Sequence, residues 1–190
     1  VPRLKERIQD APVNERSLEI RTYEIGDDRL IVEGWLKDER FVQGYHWDGR
    51  PRPAGVVHLM CVRMLVEGWP LTIIDAEAEM PGVPYELCPT TAGSIKAIIG
   101  LSIVSGFTEK VRKRVGGVRG CAHLNHLITA MGTAALHGYW TQKSREPRRL
   151  PHSLDELPGF ATLVNSCALW GIDGPLMQRI REALERQNEE

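Results

Sequence analysis

Along this chain, alternating patterns of strand type come first and helical patterns come afterwards, with one switch between them just past "YELCP", Tyr85–Pro89. Strands that precede all the helices cannot be βαβ units, because parallel strands need a crossover after each one. The order therefore predicts an α+β fold. We expect an antiparallel sheet of about four strands over residues 18–79, packed against a helical layer from residues 90–140, with an amphipathic helix at the C-terminus.

Within the strand block, "SLEIRTYEI" and "RLIVEGWLKD" flank the turn cluster "GDD", so residues 17–38 read as a hairpin. A loop rich in Gly, Pro and aromatic residues follows, "FVQGYHWDGRPRPAG", and then "VVHLMCVRMLV" and "LTIIDAEAEM" form a second pair around "EGWP". Alternation puts His58, Met60, Val62 and Met64 on one face of the first of these strands, and Cys61 and Arg63 on the other. His58 thus shares a face with core side chains. In the second strand Asp75, Glu77 and Glu79 alternate with Ile74, Ala76 and Ala78. Three carboxylates on one face are either a solvated sheet surface or a reserve of acid–base groups.

The helical block opens with "TTAGSIKAIIG", which offers Thr as N-cap and Gly100 as terminator, and "TEKVRKRVGG" repeats that plan with Thr108 and Gly116. Lys110, Arg112, Lys113 and Arg114 fall at the end of the second helix, where cations complement the dipole. Recognition of an anionic substrate group is the alternative use. From Cys121 to about Tyr139 the run is apolar enough for a buried central helix, and "TQKSREPRRLPHS" after it reads as a polar linker. The final helix opens at Pro175 and carries Leu176, Ile180 and Leu184 at spacing four, suited to packing on the domain or on a second copy in a homodimer. The expected organisation is an N-terminal extension over 1–16, a single α+β domain over 17–175, and a C-terminal helix or tail over 176–190.

Charge narrows the partners. With 24 Lys and Arg against 25 Asp and Glu, the chain has no global field to draw nucleic acid or an anionic membrane. No stretch approaches the ~20 apolar residues of a membrane span, and the first residues, "VPRLKERIQDAP", are too charged for a signal peptide. The expectation is a cytoplasmic protein that binds neither nucleic acid nor membrane. Cys61, Cys88, Cys121 and Cys167 are spread too widely for a disulfide framework, which leaves free thiols or metal ligands.

The stretch "GGVRGCAHLN", Gly116–Asn125, carries the most chemistry. A thiol at a helix N-terminus meets the positive end of the dipole, and Arg119 adds a cation; both favour thiolate. The glycines permit close backbone approach. His123 and His126 lie three apart on overlapping parts of one helix face, a spacing that departs from the His-Glu-x-x-His pattern of metalloproteases. A turn followed by a core helix is the simpler reading of the same residues.

Together, "GYHWDG…HLMCVRMLV…IIDAEAEMPGVPYELCP…IIGLSIVSGFTEKVRKRVGGVRGCAHL…VNSCALWGIDGP" resembles the bacterial DUF2889 family of uncharacterised proteins, over roughly residues 18–175. The resemblance rests on His58 and Met60, on Asp75, Glu77 and Ala78, on Cys88 and Pro89, on Arg119, Gly120, Cys121, His123 and Leu124, and on Cys167. Leu59 stands where that family has Asp, Ala122 where it has Thr, His126 where it usually has Glu, and Ala168 where it has His. The family implies no activity.

Two chemistries compete on these residues. One is a small-molecule enzyme, a metal-dependent hydrolase or lyase, that draws three or four ligands from His58, Glu77, Cys121, His123 and Cys167 around zinc, with iron as runner-up. Its expected catalytic groups are Cys121, His123, His58 and Asp75, and its substrate is small and could be anionic. The other is a metal-free enzyme with Cys121 as nucleophile, His58 or His123 as base, and Asp75 or Glu77 to orient the base. A non-enzymatic binding or assembly protein, with these residues as core filling, is the third alternative.

Overall fold

The computed structural model describes residues 3–26, 28–147, 151–156 and 159–189. Four long strands, β1 (Asn14–Glu24), β2 (Arg29–Arg40), β5 (Gly55–Glu67) and β6 (Thr72–Gly82), form one antiparallel sheet in the order β1-β2-β5-β6. Between β2 and β5 the aromatic loop carries a two-stranded ribbon, β3 (Gly44–Tyr45) and β4 (Pro51–Arg52). β1 begins at Asn14, three residues inside the expected N-terminal extension.

Alternation decides which face is covered. Leu30, Val32 and Leu36 of β2 and Met60, Val62, Met64 and Val66 of β5 are buried under the helices, and removing each such side chain from water stabilises by about 1.5–3 kcal/mol. A bulge in the pairing of β5 with β6 alters the reading of β6. Val66 pairs with Ile73 while Leu65 pairs with Asp75, so Ile74 is the extra residue. Ile73 and Ala76 both reach the core and Ile74 is 38% exposed, which removes it from the apolar set.

The helical layer follows β6. Residues Cys88–Ile98 form a 3-10 helix in place of the expected α-helix, and Thr90 and Thr91 donate to the carbonyls of Leu87 and Cys88 instead of capping. The first α-helix, α1 (Phe107–Val115), has Gly106 as its N-cap rather than Thr108, at a φ of 81° that favours glycine. The central helix α2 (Ala122–Lys143) runs four residues beyond the expected end. A short α3 (Phe160–Leu163) and the C-terminal α4 (Pro175–Glu189) complete the chain, and Met177 and Leu184 are the residues α4 buries. Of the expected turn and linker, Asp27 and residues 148–150 lie outside the described residues.

The path of α2 positions the site. Its buried residues Leu124, Leu127, Ile128, Met131 and Ala135 recur at three and four, one stripe against the sheet. A side chain on Gly34 of β2 would meet Met131 Sδ at 2.7 Å and Leu127 Cδ1 at 3.0 Å, and one on Gly138 would collide with Thr22 of β1. The helix therefore crosses the sheet diagonally, from β5 at its start, over the middle of β2, to β1. Near its end Tyr139 stacks on Trp69 at 4.7 Å between centroids. Leu127→Ala would leave a cavity beneath the crossing and cost about 2–5 kcal/mol.

Candidate functional site

Strand register sets out the first half of the site. Arg16 of β1 pairs with Asp38 of β2, and Asp38 pairs with His58 of β5, so the three form one row across the sheet. All lie on the helix-covered face, because Asp38 follows Leu36 by two and His58 precedes Met60 by two. Arg16 grips Asp38 through both oxygens, Nε to Oδ1 at 2.6 Å and Nη2 to Oδ2 at 2.8 Å. The Nδ1–H of His58 donates to Asp38 Oδ2 at 2.8 Å.

The start of α2 supplies the second half. His123 lies over His58 with ring centroids 3.9 Å apart, and its Nε2 is 3.6 Å from the same Asp38 Oδ2. On the other side of that ring, Cys121 Sγ stands 3.7 Å from Nδ1. Two residues apart in a regular helix, Cys121 and His123 would point in different directions. They meet because Cys121 is the N-cap, extended at φ −109° and ψ 131°, and so does not follow helical spacing.

Burial is partial: the side chains of Asp38 and His58 are each 14% exposed, and that of His123 is 27% exposed. The guanidinium of Arg16 holds the Asp38 carboxyl below the usual carboxylate range, with His58 adding to the effect. Burial pushes the His123 imidazole down first, and the neighbouring His58 and Arg16 push it further against the opposing pull of Asp38. The site therefore favours an ionised carboxylate beside neutral His123.

The expected residues divide cleanly. His58, Cys121 and His123 come together. Asp75 does not join them: it sits on the opposite face of the sheet, exposed, paired with Lys96 at 2.8 Å. Glu77 shares that outer face, where Arg63 binds it at 3.2 Å together with Glu33 at 2.7 Å and Glu79. Cys167 is an exposed N-cap of the 3-10 turn Ala168–Trp170, and Cys88 opens the longer 3-10 helix. Among the described residues, the group of His, Cys, Asp and Glu close enough to hold an ion is Asp38, His58 and His123, with ligand atoms within 4.8 Å of one another.

Asp38 and Arg16 are the residues that the reading of the sequence missed. The signal was present in "LIVEGWLKD": Leu30, Val32, Gly34, Leu36 and Asp38 alternate, which places a carboxylate at the end of an apolar face. The cationic stretch of α1 has local partners, since Arg112 and Lys113 pair with Glu109 and Arg114 donates to the carbonyls of Ala97 and Ile99. No helix of the described residues is long and apolar enough to cross a membrane.

Comparison with known proteins places the chain. The model of DUF2889, a protein family of unknown function, matches residues 14–137, about two thirds of its length. The chain belongs to the DUF2889 family. The stretch matched by the DUF2889 model holds Arg16, Asp38, His58, Cys121 and His123, and it stops short of Cys167. No curated protein and no solved structure matches the chain.

Proposed function

We propose that this DUF2889 protein is a small-molecule enzyme, a hydrolase or lyase, whose divalent metal is held by Asp38, His58 and His123. One observation carries the reading. Two ligand atoms bound about 2.0–2.2 Å from a common ion stand roughly 3–3.5 Å apart, and the separations from Asp38 Oδ2 to His58 Nδ1 and His123 Nε2, 2.8 and 3.6 Å, bracket that span. The set of two imidazoles and one carboxylate suits zinc, with ferrous iron as the runner-up.

The remaining residues have roles around such an ion. Arg16 fixes the carboxylate from behind, as outer partners of metal ligands do. Neutral His123 is ready to ligate. His58 would ligate through Nδ1 as the tautomer that carries its proton on Nε2. The metal supplies an activated water or a polarised carbonyl. Cys121, 3.7 Å from His123, is the adjacent nucleophile or fourth ligand. Glu77, Asp75 and Cys167 have no part in this proposal.

Metal analysis of the untagged protein, followed by zinc titration of apoprotein, tests it. The expected result is one zinc per chain. His123→Gln should abolish stoichiometric binding while the circular dichroism is unchanged. Equal zinc binding by the native chain and by His123→Gln, or none by either, would end the metal reading.

A second reading has its own observation. Cys121 Sγ, the His123 ring and Asp38 Oδ2 stand in the order of nucleophile, base and orienting carboxylate, with separations of 3.7 and 3.6 Å. A metal-free thiol enzyme would use that order, with Asp38 in the place expected for Asp75 or Glu77. Iodoacetamide separates the two: a metal-free nucleophile is alkylated at Cys121 whether or not zinc is added, and His123→Gln slows it.

A further inference from the structure

The sheet ends at β1, an edge of eleven residues that runs without a bulge from Asn14 to Glu24 and has β2 on one side only. Such an edge offers a row of unpaired backbone groups. We propose that it is filled by β1 of a second copy, antiparallel, with the twofold axis through Ile20, giving a homodimer with one continuous eight-stranded sheet.

Two independent features point to a second copy of this chain. The first is charge. If both helical layers lie on the same side of the joined sheet, inward residues must face inward residues, so the axis passes through a residue. With the axis at Ile20, Glu19 faces Arg21 of the second copy and Arg16 faces its Glu24, and each pair occurs twice. An axis at Glu19 or Arg21 sets a like charge against itself, and one at Leu18 gives Arg16 an isoleucine to face. Within one chain Glu19 and Arg21 pair with each other, so the association exchanges an exposed local pair for two cross-strand ones.

The second feature is the diagonal of α2. The helix lies over Thr22 at one end of β1 and has moved away toward β5 by the level of Leu18, which is left 37% exposed on the covered face. In the Ile20 register Leu18 stands opposite Thr22 of the second copy, beneath that copy's α2. The uncovered leucine of each chain then lies beside the helix of the other. The same register brings the second copy's Glu24, which Arg145 and Gln142 of its own chain already hold, beside Arg16, the residue that holds Asp38.

Sedimentation and oxidative cross-linking of the full chain test this. The native protein should sediment at twice the chain mass. Arg21→Glu and Glu19→Arg should each weaken the dimer by about tenfold or more, and the double reversal should restore it. Ile20→Cys should cross-link to its own copy on oxidation, because directly opposed residues have Cα atoms about 4.5–5.5 Å apart, within disulfide reach. Leu18→Cys should cross-link only when combined with Thr22→Cys. A monomeric native chain overturns the proposal, as does a dimer insensitive to the reversals or one that Ile20→Cys fails to cross-link.

Discussion

The two faces of the β2–β5 pair each gather a polar cluster, five rungs apart in one and the same ladder. On the outer face Arg63 is surrounded by Glu33, Glu77 and Glu79, and every charge has an opposite within reach. On the inner face Asp38 is shared by Arg16, His58 and His123, and the two imidazoles are stacked against each other. The outer cluster is saturated, with one guanidinium set among three carboxylates. The inner one brings together nitrogen and oxygen lone pairs that compete for too few protons. Saturated ion pairs hold a sheet together; lone pairs converging on one point suit the ion proposed above.

The largest expected effect follows from that contrast. Asp38→Asn should weaken zinc binding by about a hundredfold or more, while Glu77→Gln and Glu79→Gln should leave it within about twofold, all read by competition with a chromophoric chelator. A comparable loss from the outer substitutions would erase the distinction. Next in size, Arg16→Ala should cost about ten- to a hundredfold in metal affinity by freeing the carboxylate. Arg63→Ala should leave metal affinity alone and lower only the unfolding free energy read from urea titration, by about 1 kcal/mol, since Glu77 and Glu79 are largely exposed and Glu33 alone is half-buried.

Acid sharpens the comparison further. Asp38 and His123 both have depressed values in the folded state, so each contributes stability that is present above its unfolded pKa and lost as the pH falls through its folded one. For His123 the loss begins below about pH 6.5 and for Asp38 below about pH 3.9. Urea midpoints of metal-free protein should therefore fall on going from pH 7 to pH 5, and His123→Gln should flatten that slope. The smallest effect concerns Cys61, the thiol beneath the outer cluster. Burial pushes it up to about 11, so an aromatic disulfide reagent at neutral pH should leave it untouched until the protein is unfolded.

How much of this the sequence displayed depends on which physical rule each residue obeys. His58 was legible because period two is strict along a single strand, and Cys121 with His123 because a glycine turn opens a helical run. The architecture was legible for the same reason: the order of strands and helices needs no knowledge of pairing. Asp38 was not singled out, because its partnership with His58 depends on register. That register is set by the fourteen-residue loop of residues 41–54 and by a bulge at Asp38 and Glu39. Asp75 and Glu77 were offered as candidates on their alternation along one strand and on the family resemblance; only the packing of α2 shows which face is occupied. The interruption at Ile74 is likewise a property of two strands rather than one.

Gly34 and Gly138 carry no side chains, yet they determine how low α2 rests on the sheet. The gap between His58 on the sheet and His123 on the helix is a vertical clearance, and its height is machined at these two notches. Met131 above Gly34 is pliable, whereas the branched Thr22 beneath Gly138 is not, so the far notch is the stiffer gauge. A methyl group there would tilt a rod of twenty-two residues and open the jaw at its other end. The fineness of the site is thus a tolerance held by absences, and a chain that retained every polar residue of the cluster could still lose the grip by gaining a single carbon.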